Sequence, residues 1–301
     1  MLDVRVHPKE SPMQNPYLEM VSGYAGLMKK GRQLPLGQLP PLELPPLPPQ
    51  AANVLLFSPH PDDECITGAL PLRLRREMRL NVINVAVTQG SNKERQAGRL
   101  EELRHACAYL GFALVQTAPN GLEKINPKTR QDNPQHWTAA VRTVTALLAQ
   151  YQPRIAFLPH ANDNNTTHKG THWLVLDALK TMPDTFSCQI VETEFWGALE
   201  SPNLMVESPV QDVADLVAAL TFHVGEVQRN PYHLSLPAWM QDNVRRGAEL
   251  VGGQGGAAPS FAFATLYRWR TFHQGQWTLP YTGGRQLTAA GDPASLLAPD
   301  Q

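Results

Sequence analysis

Residues 53–64 read NVLLFS-PHPDDE, and this stretch decides the fold. Asn53–Ser58 is a short, unbroken apolar run, the pattern of a strand covered on both faces. Such strands belong to parallel sheets with helices above and below. Directly after it the chain turns polar and rigid, with Pro59-His60-Pro61-Asp62-Asp63-Glu64 before another apolar stretch.

Outward from this strand, the same alternation repeats. Helical spacing is expected over Glu64–Met78, then a strand over Leu80–Thr88, rich in Val and Ile. Asn92–Leu110 reads as a long amphipathic helix, with Leu100, Leu103, Ala106, Cys107 and Leu110 on one face and Gly111 as its stop. A weak strand at Ala113–Gln116 and a helix at Trp137–Tyr151 follow. Next come a strand at Arg154–Leu158, a helix at His168–Thr181 and a strand at Cys188–Phe195. The last long helix is expected over Gln211–Val227, and the Gly- and Pro-rich tail beyond Asn243 carries no readable pattern. Strand–helix alternation implies an α/β fold with a doubly wound, mostly parallel sheet and helices on both faces.

The first fifty residues differ. Leu34–Gln50, LPLGQLPPLELPPLPPQ, is too dense in proline for helix or sheet and predicts an extended polyproline II arm. It suits either a Pro-binding module or the protein's own surface, reached through its leucines. Tyr17–Lys30 reads as one helix. The expected organisation is therefore an arm over residues 1–50 and a single catalytic domain over 51–301.

Composition excludes several classes. The 301 residues are 42 % hydrophobic and carry a formal net charge of -1, which gives no basis for a nucleic-acid partner. The densest basic cluster, Arg73, Arg75, Arg76 and Arg79, is expected to be one solvated helix side. Three scattered cysteines, Cys65, Cys107 and Cys188, form neither a disulfide framework nor a Cys-x-x-Cys site. Residues 1–17 lack the apolar core of a signal peptide, and no run approaches the ~20 residues of a membrane span. Together these predict a cytoplasmic protein without an integral membrane segment.

Two polar loops directly follow buried strands: residues 59–64, and Pro159-His160-Ala161-Asn162-Asp163-Asn164-Asn165-Thr166-Thr167-His168. Ligands of a doubly wound sheet bind beyond the strand carboxyl ends where strand order reverses, so the two loops should meet there. Two imidazoles and one carboxylate make a catalytic zinc site with a position left open. Zn²⁺ lowers the pKa of water from roughly 16 to about 7, and a second carboxylate nearby can carry a proton to a leaving group. Adjacent Asp62 and Asp63 cannot point the same way, so one can bind metal while the other faces the water. Read singly, the first loop also suits a helix cap and Asp163 a turn.

Pro-His-Pro-Asp-Asp-Glu after a buried first strand resembles the signature of the PIG-L/LmbE-like zinc-dependent N-deacetylases. Asp163-x-x-x-x-His168 matches the second block at both ends, and Leu174–Leu179 looks like the family's helix. Thr88-Gln89-Gly90, Arg99-x-x-Glu102-Leu103 and Leu110-Gly111 are similar to the intervening strand and helix, with a weaker echo at His223. The resemblance implies a Rossmann-like fold and hydrolysis of an N-acetyl group on an amino sugar such as an N-acetylglucosamine derivative. It makes His60, Asp63 and His168 the metal ligands and Asp62 the general base. The sequence departs from the pattern where Asn165-Thr166-Thr167 replaces His-Pro-Asp, so either Asn165 or His160 serves the acyl oxygen or activity is reduced. Asn120 likewise stands where an Asp often touches sugar hydroxyls.

Arg99 is either an ion-pair partner of Glu102 or a substrate contact. His168-x-x-x-His172 has metalloprotease spacing, but Lys169 stands where the catalytic Glu would be. His172 and His223 read as packing residues, and Trp137, Trp196 and Trp239 as core or rim. Gly252–Gly256 lacks the strand and the Lys of a phosphate loop. The partner is thus a small-molecule or glycoconjugate substrate. An amidase of a cysteine or lipid conjugate of an amino sugar, or a silent zinc-containing sugar-binding protein, are the other readings.

Overall fold

The computed structural model describes residues 15–298. Most of residues 1–17, read as lacking a signal-peptide core, and with them the first part of the arm, lie outside the described residues. The described residues fall into two compact units, one ending at Pro35 and the other beginning at Leu36. The first contributes helix α1 (Tyr17–Gly31), which leaves Leu18, Met20, Val21, Tyr24 and Leu27 exposed.

The second unit is built on one sheet. Its strands are β1 (Asn53–Ser58), β2 (Asn81–Ala86), β3 (Ala113–Gln116), β4 (Ile155–Pro159), β5 (Ser187–Thr193), β6 (Leu204–Glu207), β7 (Ala264–His273), β8 (Gln276–Thr278) and β9 (Arg285–Leu287). The order is β3-β2-β1-β4-β5-β7-β6-β9, with β8 paired to β7. From β3 to β5 all pairings are parallel. β7 then enters antiparallel between β5 and β6. The helices are α2 (Ala69–Arg76), α3 (Lys93–Leu110), α4 (Pro127–Asp132), α5 (Pro134–Tyr151), α6 (Thr166–Leu179), α7 (Val210–Leu220), α8 (Val224–Arg229) and α9 (Leu236–Leu250).

The unbroken apolar run of β1 is explained by its place in the middle. Val54 and Leu56 point into one core with Leu70 and Leu74 of α2, Leu103 and Leu110 of α3, and Leu216 of α7. Leu55 and Phe57 point into a second core with Val144 and Leu148 of α5 and Leu174 and Leu179 of α6. Period-two side chains buried on both faces leave no polar position between Val54 and Phe57. Among the described residues, no helix is long and apolar enough to cross a membrane.

Three expectations are corrected. The helix expected over Glu64–Met78 is a short 3₁₀ turn, Asp63–Cys65, followed by α2. Gly68 separates them at φ 83°, a left-handed conformation natural to glycine. A Cβ there would meet the Tyr267 hydroxyl at 2.5 Å and the Thr265 hydroxyl closer still. Gly68→Ala is therefore expected to cost about 2–3 kcal/mol, read as a lower urea midpoint at unchanged slope. An unchanged midpoint would contradict this packing.

The basic cluster is not a solvated side. Arg73 is completely buried and donates to the carbonyls of Thr288, Ala289 and Gly291 while pairing with Glu77. Arg75 donates to the carbonyls of Gly111 and Pro45, and Arg79 to that of Pro46. The proline segment from Leu36 onward thus lies on its own domain, with Leu36 and Leu42 against the core and Leu42 N–H bonded to Tyr109 O. Guanidinium groups supply the donors that proline-rich backbone lacks for itself.

The helix expected over Gln211–Val227 is broken between α7 and α8 at Thr221–His223, and α9 follows. The tail without a readable pattern supplies β7 to β9.

Candidate metal centre and catalytic cleft

Strand order reverses between β1 and β4, which lie side by side with Leu55 opposite Ala156. The loops leaving their carboxyl ends converge there, and His60, Asp63 and His168 form one cluster. His60 Nδ1 lies 3.2 Å from His168 Nε2. Asp63 Oδ2 lies 3.5 Å from the first nitrogen and 3.3 Å from the second. The His60 backbone N–H also donates to Asp63 Oδ2 at 2.8 Å, closing the Pro59–Asp63 turn on itself.

His168 arrives on the first turn of α6. Asn165 caps that helix, its Oδ1 accepting from Thr167 N–H at 2.8 Å. Asp163, fully buried, accepts N–H bonds from Asn165, Trp196 and Gly197. Its other role faces the metal cluster: Oδ1 lies 3.6 Å from His168 Nδ1, a nitrogen with no closer acceptor among the described residues. A carboxylate behind a histidine fixes the ring so that Nε2 presents its lone pair forward.

This donor set fits a divalent cation. Two imidazole nitrogens and one carboxylate oxygen all lie within 4.8 Å of one another. Three ligands of this kind match a catalytic zinc with its fourth position open. Electrostatics agree: burial disfavours charge on His168, yet Asp63 and Asp163 overcome it and hold its pKa up at about 10. Burial would raise Asp63, but His168 and His60 pull it below the usual carboxylate range. The cluster therefore seeks positive charge at its centre.

Asp62 faces elsewhere, as two adjacent carboxylates must. Its backbone sits at φ 110°, uncommon for any residue but glycine. The Asp62 N–H donates to Glu64 Oε2 at 2.9 Å, which holds the turn. Glu64 Oε1 in turn accepts from His223 Nε2 at 2.6 Å and from the Cys65 thiol at 3.1 Å. At the other end, Asp62 Oδ2 accepts the Tyr232 hydroxyl at 2.6 Å, and Arg99 Nη2 stands 3.8 Å away while donating to Pro61 O. Burial and neighbouring Asp63 lift the Asp62 pKa to about 7, against the pull of His223, Arg99 and Tyr232.

A cleft of ≈ 440 Å³ opens over these groups, lined by Asp62, Arg99, Asn165, Trp196, Glu226 and Tyr232 among others. Arg99 and Asn165 thus both reach the cleft, as substrate contacts would. Arg99 does not pair with Glu102, which instead accepts from Gly225 N–H; its second acid is Glu226, 3.7 Å from Nε. His160 is a correction. Its Nε2 is bonded to Gly197 O at 2.8 Å and its Nδ1 accepts from Asn162 N–H, so neither nitrogen remains for an acyl oxygen. His172 is buried, bonded to Pro159 O, and held near pKa 4 by burial, a neutral packing residue.

Tyr232 and the Glu64–His223 pair were not legible as site residues. Tyr232 lies 170 positions from Asp62 in a turn with no motif spacing. His223 offered only its faint family echo.

With this geometry in hand, comparison with known proteins becomes specific. Residues 55–179 match the family model PIG-L: GlcNAc-PI de-N-acetylase, and the mixed, mostly parallel sheet is the fold of the LmbE-like deacetylases among the structural neighbours. Among solved structures, the N,N'-diacetylchitobiose deacetylase from Pyrococcus horikoshii is similar at TM-score 0.54 and 16% identity, covering 85% of this chain and 94% of that one. The A40926 pseudoaglycone deacetylase Dbv21 is similar at TM-score 0.53 and 14% identity, covering 75% and 99%. GalB, the 4-carboxy-2-hydroxymuconate hydratase from Pseudomonas putida KT2440, is also similar, at TM-score 0.53 and 14% identity, covering 72% and 95%. At such identities the likeness shows the fold, and a hydratase among the neighbours makes the site the place to argue function. No curated protein matches the chain.

Proposed function

We propose that the chain is a zinc-dependent hydrolase that removes an N-acyl group, N-acetyl foremost, from an amino sugar such as an N-acetylglucosamine derivative. The observation that carries this is the His60–Asp63–His168 cluster with an unligated carboxylate, Asp62, turned to the cleft beside it. Zinc held by these three residues would polarise the acyl carbonyl and make water acidic enough to attack at neutral pH. Everything else is done by side chains of this chain. Asp62 takes the proton of the attacking water and delivers it to the leaving nitrogen. Tyr232 and Arg99 hold Asp62 in place, and Asp163 orients His168. Asn165, whose Oδ1 is engaged by Thr167, has its Nδ2 free to donate to the developing oxyanion in place of the family's histidine. A neutral donor there is weaker than a charged one by roughly twofold. Three buried free thiols favour a reducing, cytoplasmic setting.

The test is release of free amine from N-acetylglucosamine, N,N'-diacetylchitobiose, a lipid glycoside of N-acetylglucosamine and a cysteine conjugate of an N-acetylated amino sugar. At least one should be cleaved by zinc-loaded protein, stopped by a chelator and restored by zinc. Silence across that panel at full zinc occupancy would favour a sugar-binding protein.

A further inference from the structure

Two recesses adjoin the catalytic cleft, each sharing lining residues with it. On the His60 side lies a recess of ≈ 430 Å³ whose walls mix Ser91, Gln96 and Asn126 with Lys93, Leu122 and Ile125. On the other side, sharing Trp196 and Tyr232 with the catalytic cleft, lies a pocket of ≈ 210 Å³ lined by Ile66, Phe195, Leu236 and Trp239. Its remaining lining residue is Ser235. This second pocket borders the reacting centre. Tyr232 forms its wall and bonds Asp62, and Phe195 meets the His168 ring edge-on at 5.0 Å. Trp196 is 46% exposed and stands edge-on to Tyr232, a large apolar surface left to water at the mouth.

An N-acyl amino sugar is asymmetric about its amide in the same way. Its nitrogen side is a ring of hydroxyls, and its carbonyl side is hydrocarbon. Matching polarity to polarity puts the sugar in the catalytic cleft, among Asn92, Arg95, Arg229 and Asn230, and the acyl group against the aromatic pocket. An aglycone, attached beyond the ring, would leave on the polar side. Acetyl offers one methyl group, which would leave most of a ≈ 210 Å³ pocket unfilled.

We propose that the pocket formed by Ile66, Phe195, Trp196, Tyr232, Leu236 and Trp239 binds the alkyl chain of an N-acyl group longer than acetyl, on the order of four to eight carbons. This rests on the deacylase reading and adds the identity of the acyl group to it. The chemistry is unchanged. Water oxygen bonds to the carbonyl carbon, the C–N bond breaks, the nitrogen leaves with a proton, and the chain departs as a short fatty carboxylate. Each methylene buried in such a pocket strengthens binding about fourfold.

The experiment measures binding, so it does not depend on turnover. Zinc-loaded Asp62→Asn protein is titrated calorimetrically with N-acetyl-, N-butyryl- and N-hexanoylglucosamine, alone and with Ser235→Trp added. Ser235 is exposed, so a bulky residue there blocks the pocket at little risk to folding. The hexanoyl-to-acetyl affinity ratio should be about tenfold or more and should collapse toward one with Ser235→Trp. Trp239→Ala, which enlarges the pocket, should move the optimum to a longer chain. A ratio near one, or a ratio unchanged by Ser235→Trp, would overturn the assignment. Failure of wild-type protein to release amine from any of the three compounds would instead count against the deacylase reading, leaving the binding ratios to decide the pocket.

Discussion

His168→Ala is expected to leave the purified protein with almost no zinc, against about one ion per chain in the wild type. Of the three candidate ligands among the described residues, His168 alone comes from the second loop. The other two, His60 and Asp63, come from one turn and cannot enclose an ion by themselves. The substitution also strips Asp63 and Asp163 of the imidazole that stands between them. Losing the partner of buried carboxylates costs about 3–5 kcal/mol, so near-ultraviolet circular dichroism should accompany the metal analysis. Full zinc occupancy in the folded variant would remove His168 from the centre, and the proposed reaction with it.

Asp62→Asn is expected to keep its zinc and lose about 10² to 10⁴-fold in kcat. The side chain retains its shape and still offers Tyr232 an oxygen to donate to, so the cleft should not rearrange. What disappears is a group able to accept a proton from water and return it to the leaving nitrogen. Turnover within threefold of wild type would show that another residue moves the proton. Loss of zinc in this variant would mean that Asp62, not Asp63 alone, supports the ion.

The parallel half of the fold was open to sequence reading because its strands are buried on both faces. Val54–Phe57 of β1 and Ile155–Leu158 of β4 have no polar position to blur them, and each strand is followed at once by a His-bearing loop. Two loops after neighbouring strands define their meeting point by topology alone, which is why the meeting of His60 and His168, 108 positions apart, was foreseeable. The carboxyl-terminal half was not legible for the opposite reason. β7, ATLYRWRTFH, mixes charge and aromatics because Arg268 and Arg270 pair with Glu192 on the neighbouring strand. Its burial depends on partners that no local pattern announces. The arginines of α2 misled for a related reason. Their spacing looks solvent-facing, but their donors serve carbonyls of the proline segment and of residues near 290. Tyr232 and His223 reach the site from short turns whose residue types fit any loop.

β5 is finished at residue 193, yet the strand that covers its outer edge, β7, does not begin until residue 264. At a ribosomal pace of roughly 5–20 residues per second, the nascent chain carries an uncapped strand for several seconds. During that interval the half-built molecule presents a row of unsatisfied amide and carbonyl groups to its surroundings, the template on which neighbouring chains associate. Production of this protein should therefore be sensitive to anything that stalls translation between those two points, even though the completed molecule shows no such weakness at that edge.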